Sequence, residues 1–237
     1  MSSPLVSIAQ RLRDDLAPMR FGGIVAHVYN PLTYAWRPYR EYLERFAQGT
    51  RDTVIVGMNA GYFGMAQTGI PFGDVPMVRD WLRIESRVDK PEHEHPKRPI
   101  LGFECARREV SGQRVWGWAR DTFGTPERFF ARFFVLNYCP LCFLAESGAN
   151  VALDKLPVAA REDVVAACDR ALESAVAILK PSHAIALGGF ALQRISTVMR
   201  ERVVCTKAPH PSPANASLRG HWSAAMNRAL ASCGIDV

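Results

Sequence analysis

Four short apolar runs place the strongest limit on how this chain can fold. They are Thr53–Val56, Phe133–Leu136, His183–Leu187 and Val203–Thr206. Most are rich in β-branched or aromatic residues, and in none of them do polar residues alternate with apolar ones. This pattern is typical of strands that are buried on both faces, as in a parallel sheet.

Helical patterns separate these strands. We predict helices over Leu5–Leu16, Val78–Leu82, Pro126–Ala131, Arg161–Leu179, Phe190–Met199 and Trp222–Leu230, and a further strand within GGIVAHVYN (residues 22–30). No repeat, low-complexity tract or linker divides the chain, so a single domain over 1–237 is expected. The alternation predicts an α/β fold, a three-layer αβα sandwich around a central four-stranded, mainly parallel sheet.

The charge is uneven along the chain. The formal net charge is +6 and the isoelectric point is about 9.2, and no acidic residue occurs between positions 202 and 235. A positive surplus favours a polyanionic partner, nucleic acid first. Charged residues interrupt the N-terminal apolar stretch, so we expect neither a membrane span nor a signal peptide.

The cysteines and histidines do not predict a metal site or a cofactor. Cys139 and Cys142 form one C-x-x-C pair, but no second pair supplies the other two ligands of a metal or iron–sulfur site. Reduced thiols packed in the core are therefore expected, with a redox pair as the alternative. His93 and His95 lie in a charged, proline-rich stretch, which favours a solvated loop.

Polar residues follow the predicted strands where a site is expected. In doubly wound sheets the site lies beyond the carboxyl ends of the strands, so Asn59, Asn137 and His210 should converge there. The stretch after the first strand lacks the Lys-Ser/Thr of a nucleotide triphosphate loop, which argues against a phosphate-binding loop. Ser212 is only two residues from His210 and is flanked by prolines, which argues against a Ser/His/Asp triad. No paired carboxylates follow the strands, which argues against the two-carboxylate chemistry of glycosidases.

Two amides and an imidazole suit a reaction that needs little base strength. The Asn59 carbonyl can orient a water, and Asn137 can donate and accept together along the edge of a planar base. His210 can donate to an oxygen that becomes anionic, and Phe72 can stack on an aromatic ring. Cleavage of an N-glycosidic bond to a good leaving group is one such reaction.

Three motifs carry a resemblance to a known family. GMNAGYFGMAQTGIPFG (57–73), FVLNYCPLCFL (134–144) and HPSPANASLRGHW (210–222) resemble the single-strand-selective monofunctional branch of the uracil-DNA glycosylase superfamily. The stretches EHPKRPILGFEC (94–105) and VSGQRVWGW (110–118) are also similar. The resemblance extends from about residue 21 to about residue 233. It departs at Ala60 and Ala214, where the family often has proline and arginine.

The resemblance implies a role for each matched residue. Asn59 would position the catalytic water, and His210 would stabilise the departing uracil anion. The base pocket would comprise Met58, Gly61, Tyr62, Phe63, Met65, Phe72 and Asn137, with Gly61 and Met65 facing C5 of the base. The DNA contacts would come from Gln67, Pro211, Ser212, Pro213, Asn215, Leu218 and Arg219.

The resulting hypothesis is a monomeric DNA-repair glycosylase without a cofactor. It would flip uracil, and uracils substituted at C5, out of single- and double-stranded DNA and leave an abasic site unbroken, because no lysine lies beside Asn59 or Asn137. A cytoplasmic, nucleoid-associated location is expected in a bacterium and a nuclear one in a eukaryote. The alternatives are action on xanthine or hypoxanthine, a slow damaged-DNA-binding protein, and a small-molecule enzyme such as a nucleoside hydrolase.

Overall fold

The computed structural model describes residues 3–213, 215 and 221–237. The helices are α1 (Pro4–Leu16), α2 (Pro31–Tyr34), α3 (Trp36–Phe46), α4 (Met65–Thr68), α5 (Val110–Phe123), α6 (Pro126–Arg132), α7 (Val158–Leu179), α8 (Gly189–Met199) and α9 (Trp222–Ala231). The strands are β1 (His27–Tyr29), β2 (Thr53–Asn59), β3 (Phe133–Cys139), β4 (Cys142–Leu144), β5 (Asn150–Val151), β6 (His183–Leu187) and β7 (Val204–Ala208).

The four predicted apolar runs form the central sheet. Its strand order is β3-β2-β6-β7, and each neighbouring pair is parallel. Helices α7 and α8 pack on the sheet, and α1 packs against α7. Helices α6 and α9 also pack on the sheet, and α5 contacts both of them. The residues of β2 from Val54 to Val56 are fully buried, as the unalternating pattern requires. The predicted α/β fold class is confirmed.

The strand order opens a crevice at one edge of this sheet. Strand β2 is the first of the four in the chain, yet β3 lies on one side of it and β6 on the other. The segments that leave β2 and β6 therefore run in opposite directions, which separates them at the carboxyl ends of the strands. Asn59 ends β2, and His210 follows β7 by two residues.

Helices α2, α3, α4 and α5 were not predicted, and of a small second sheet only β1 was, within residues 22–30. Helix α5 contains Gly112 and Gly117, which lower its helix propensity, and α3 contains Pro38 in its first turn. Strands β1, β4 and β5 form a separate antiparallel sheet in the order β1-β4-β5. Strands β4 and β5 have three and two residues, too few for a periodic pattern to show.

Cys139, Cys142 and one of the two histidines at positions 93 and 95 are buried in the fold. All six cysteines are free, and Cys139 and Cys142 are fully buried. His93 is exposed as expected, but the expectation of a solvated position is wrong for His95, which is only 4% exposed and accepts a hydrogen bond from the Lys97 amide. Within the described residues, no helix is long and apolar enough to cross a bilayer.

Two glycines of α5 give a matched test of how closely this helix must approach the segment after β2. A Cβ on Gly112 would lie 2.1 Å from the Phe72 carbonyl oxygen, whereas a Cβ on Gly117 would meet nothing within 4 Å. Gly112→Ala should lower the free energy of unfolding by about 1–3 kcal/mol, because backbone must move. Gly117→Ala should raise it by about 0.5–1 kcal/mol through helix propensity.

Urea denaturation followed by circular dichroism measures both changes. Equal effects of the two substitutions would show that α5 does not press against Phe72 as described.

Candidate active site

A cavity of about 590 Å³ lies at the carboxyl edge of the central sheet. Its wall is formed by the carboxyl ends of β2 and β3, by β5, by the segments that follow β2, β5 and β7, and by the start of α5. The lining residues are Met58, Asn59, Ala60, Gly61, Phe63, Gly64, Met65, Phe72, Arg107, Arg108, Glu109, Val110, Ser111, Asn137, Asn150, Val151, Ala152, His210, Ser212 and Pro213.

Gly57 leaves room for two other side chains on the floor of the cavity. In the sheet register, Gly57 of β2 lies opposite Asn137 of β3. A Cβ on Gly57 would lie 2.4 Å from Phe72 Cζ and 2.6 Å from Asn137 Oδ1, both far inside van der Waals contact. Glycine at this position therefore lets an aromatic ring and an amide meet over the strand.

Phe72 is held in a backbone conformation that side chains rarely adopt. Its φ is +55°, in the left-handed region, which costs about 1–3 kcal/mol in a residue other than glycine. The Asp74 amide donates to the Phe72 carbonyl at 2.8 Å, and Trp116 Nε1 donates to the Pro71 carbonyl at 3.1 Å. These bonds fix the turn that directs the Phe72 ring over Gly57.

Asn137 presents an acceptor that is buried but unsatisfied. Its Nδ2 lies 3.3 Å from Met65 Sδ, while no donor among the described residues reaches its Oδ1. A buried polar atom without a partner costs about 1–3 kcal/mol, so such atoms are rare unless a ligand completes them. The amide thus offers a donor and an acceptor side by side to a planar ligand.

Two backbone groups, one next in the chain and one distant, fix the Asn59 side chain. Its Nδ2 donates to the Ala60 carbonyl at 3.1 Å, and its Oδ1 accepts from the Leu153 amide at 3.3 Å. An amide oxygen has two lone pairs, so Oδ1 retains one for a water in the cavity. The segment after β5 therefore sets the direction of this oxygen.

One backbone hydrogen bond selects the tautomer of His210. The Ser212 amide donates to His210 Nδ1 at 3.0 Å, so Nδ1 is the acceptor and Nε2 carries the hydrogen. Burial lowers the pKa of His210, which favours the neutral ring near pH 7. The histidine is therefore a neutral N–H donor in the cavity wall.

The segment carrying His210 is held at both ends. Arg114 of α5 donates to the carbonyls of Pro211 and Ser212, each at 2.9 Å, and Trp222 Nε1 donates to the Pro209 carbonyl at 2.8 Å. These bonds leave the imidazole little freedom relative to α5. They make Arg114 a support for the site that the sequence motifs did not indicate.

The structure brings most of the predicted site residues together. Those lining the cavity are Met58, Asn59, Gly61, Phe63, Met65, Phe72, Asn137, His210, Ser212 and Pro213. Two assignments are corrected. Tyr62 is only 5% exposed and its hydroxyl donates to the Pro99 carbonyl at 2.6 Å, so it is a core residue and does not line the base pocket.

Gln67 is the second correction. Its side chain is fully buried, and its Oε1 accepts from the amides of Leu101 and Gly102 at 2.8 and 3.1 Å. It holds the stretch after residue 99 in place and cannot contact DNA from there. Sequence reasoning misplaced Tyr62 and Gln67 because both belong to the GMNAGYFGMAQTGIPFG motif, whose other members do reach the cavity.

The predicted DNA-contact segment is only partly described. The Pro211 ring is buried and its carbonyl accepts a hydrogen bond from Arg114, so its contact with DNA stays a prediction. The Asn215 amide donates to the Ser212 carbonyl at 3.1 Å, and Asn215 does not line the cavity. Leu218, Arg219 and Ala214 lie outside the described residues.

The start of α5 supplies wall residues that the sequence analysis missed. Asp74 is fully buried, forms a bidentate ion pair with Arg108, and accepts from the Glu109 amide at 2.9 Å. Burial raises the pKa of Glu109, whose carboxylate accepts from the Ser111 amide and so caps α5. An acidic residue directly before an apolar helical pattern is a capping signal that could have revealed this helix start.

The chain is similar to known proteins in sequence and in fold. The family model of the Uracil DNA glycosylase superfamily matches residues 45–232. The chain is 44% identical over 229 residues to the single-strand selective monofunctional uracil DNA glycosylase of Bos taurus, covering 95% of this chain and 84% of that protein. It is 43% identical to the protein of the same name from Mus musculus, covering 95% and 82%.

A solved structure shares the fold. The crystal structure of SMUG2 from Pedobacter heparinus superposes with a TM-score of 0.66 at 16% identity, covering 95% of this chain and 96% of that one. At this identity the likeness speaks for the fold alone.

The state of His210 can be measured directly. Nitrogen-15 spectra of the imidazole, assigned by comparison with His210→Ala, should show the Nε2–H tautomer at pH 7. The titration midpoint should fall below the ordinary value of 6.5, because burial disfavours the charged ring. A midpoint above that value, or a ring protonated on both nitrogens at pH 7, would contradict the neutral donor.

Proposed function

Because the chain belongs to the uracil-DNA glycosylase superfamily, we propose that it removes uracil, and uracils substituted at C5, from DNA. It does so by hydrolysing the N-glycosidic bond and leaves an abasic site. The observation that carries this proposal is the Asn137 amide in the cavity wall, whose buried Oδ1 has no partner within the described residues while its Nδ2 lies 3.3 Å from Sδ of Met65, another wall residue.

Asn137 distinguishes uracil from cytosine by its hydrogen bonds. Uracil presents an acceptor at O4 beside a donor at N3, and cytosine presents the reverse. Oδ1 of the amide accepts from N3–H, and Nδ2 donates to O4. Cytosine in the same position would place donor against donor and acceptor against acceptor, at a cost of about 1–3 kcal/mol for each buried mismatch.

The reaction needs the leaving base stabilised and a water held nearby. Phe72 stacks on the base while the C1′–N1 bond breaks, which leaves an oxocarbenium-like sugar and a uracil anion. The neutral Nε2–H of His210 donates to the base oxygen that gains this charge. A water oriented by Asn59 Oδ1 adds its oxygen to C1′, and the proton it releases neutralises the base.

The cavity favours hydrolysis without strand cleavage. No lysine is among the described residues that line it. A Schiff base with the sugar, which precedes cleavage of the strand, would need such an amine. The abasic site is therefore the product.

The proposed substrate is DNA with the target base turned out of the stack, in single or double strands. Arg107 and Arg108 are exposed on the cavity wall and add to the chain's net charge of +6. The Arg107 guanidinium also lies 4.3 Å from the centre of the Phe63 ring, which orients it at the opening. A base outside the stack is reached most easily in single strands and weak pairs. We propose that one chain acts alone, since Asn59, Asn137 and His210 of a single chain line the same cavity.

A glycosylase assay tests the roles of Asn59 and His210. Labelled oligonucleotides carry one uracil in a single strand, opposite guanine, or opposite adenine. Asn59→Ala and His210→Ala should each lower the single-turnover rate by about 10²–10³-fold, because each removes a group that acts at the transition state. Strand breakage should require alkali after the incubation.

His93→Ala is the matched control. That side chain is 82% exposed and does not line the cavity, so the rate should equal that of the wild type. Binding of uracil-containing DNA without excision by the wild type would instead identify a damage-binding protein. Breakage without alkali would contradict the monofunctional reaction.

A further inference from the structure

Glu109 is a carboxylate in the cavity wall to which the proposed reaction assigns no task. Its position is fixed from two sides, since its amide donates to the buried Asp74 at 2.9 Å and its Oε1 accepts from the Ser111 amide at 3.3 Å. Its other oxygen, Oε2, is turned toward the loop after β2. The carboxylate is therefore a fixed part of the wall and not a side chain that swings in solvent.

Two glycines make room for this oxygen. A Cβ on Gly61 would lie 3.1 Å from Glu109 Oε2, and a Cβ on Gly64 would lie 3.0 Å from Glu109 Cγ and 3.4 Å from Oε2. These distances are tighter than ordinary contacts to a Cβ. The carboxylate thus lies directly against the part of the loop that precedes Met65.

The orientation of the base places its C5 side toward this wall. Asn137 Nδ2, the donor for O4, lies 3.3 Å from Met65 Sδ. O4 is bonded to C4, and C4 is bonded to C5, so the C5 edge continues from Nδ2 toward Met65. Met65 directly follows Gly64, which Glu109 covers. A substituent on C5 therefore points to the region of Oε2.

We propose that Glu109 determines which substituents at C5 of uracil the enzyme accepts, favouring a hydrogen-bond donor such as hydroxymethyl over an acceptor such as formyl. This inference rests on the proposed function. A carboxylate accepts hydrogen bonds and does not donate them, and such bonds are stronger than those between neutral groups. Burial removes water from this carboxylate and so raises the pKa of Glu109, and a donor on the C5 substituent would replace hydrogen bonds that water otherwise supplies.

Glu109→Gln reverses this chemistry with little change of shape. The side-chain oxygen of the glutamine still accepts from the Ser111 amide. Its NH₂ group therefore takes the place of Oε2 and faces the C5 substituent as a donor. Excision of 5-formyluracil should rise relative to 5-hydroxymethyluracil. Measured as single-turnover rates, the ratio of hydroxymethyl to formyl should fall by about 10-fold or more, as expected for exchange of a charged hydrogen bond.

Two further variants separate this effect from a structural one. Glu109→Asp keeps the charge and a capping carboxylate but withdraws it from Gly61 and Gly64. It should lower the rate for 5-hydroxymethyluracil relative to uracil and give no gain for 5-formyluracil. Glu104→Gln removes an exposed carboxylate five residues earlier, outside the cavity, and should leave every ratio as in the wild type.

The same assay distinguishes the failures. If the wild type excises no uracil, the proposed function itself is wrong. If the wild type excises uracil and Glu109→Gln lowers all three rates by one common factor, or leaves the hydroxymethyl-to-formyl ratio unchanged, then the assignment of Glu109 is overturned. A ratio that falls with Glu109→Gln and not with Glu104→Gln supports it.

Discussion

The close approach of Phe72 and Asn137 to Gly57 is the contact on which the rest of the site depends. A single methyl group on Gly57 would lie 2.4 Å from the ring and 2.6 Å from the amide oxygen. With hydrogen there, the Phe72 ring and the Asn137 amide, to which we assign stacking and recognition of the base, meet above β2. The left-handed backbone of Phe72 is acceptable because hydrogen bonds from Asp74 and Trp116 hold the turn on both sides.

Helix α5 connects this floor to the remaining walls. Gly112 admits the Phe72 carbonyl, Arg114 binds two carbonyls of the segment that carries His210, and Glu109 at the helix start covers Gly61 and Gly64. One element thus fixes the Phe72 ring, the His210 imidazole and the wall beside Gly61 and Gly64. This arrangement suits a reaction driven by placed donors more than by strong acids or bases, since such donors act only when they need no reorganisation.

The sequence predicted the central sheet well because its strands are buried on both faces and so read as unbroken apolar runs. It also predicted which residues follow those strands, and Asn59, Asn137 and His210 do line one cavity. Assignments by motif failed where neighbours in the chain point in different directions. Tyr62 and Gln67 lie between lining residues, yet their polar ends bind backbone of the stretch after residue 98. That stretch has no periodic pattern from which its position could be derived.

The sequence by itself determined the parallel sheet, the two amides and the imidazole that line one cavity, and the glycines near them. These follow from local composition and from the rule that loops at the carboxyl ends of parallel strands share one edge. Only the tertiary structure decided which tautomer His210 adopts, which lone pair of Asn59 stays available, and that Glu109 enters the wall. The Asn59 and Glu109 positions depend on contacts between segments far apart in the chain, and the His210 tautomer depends on the path of a turn. No pattern of residue types specifies such geometry.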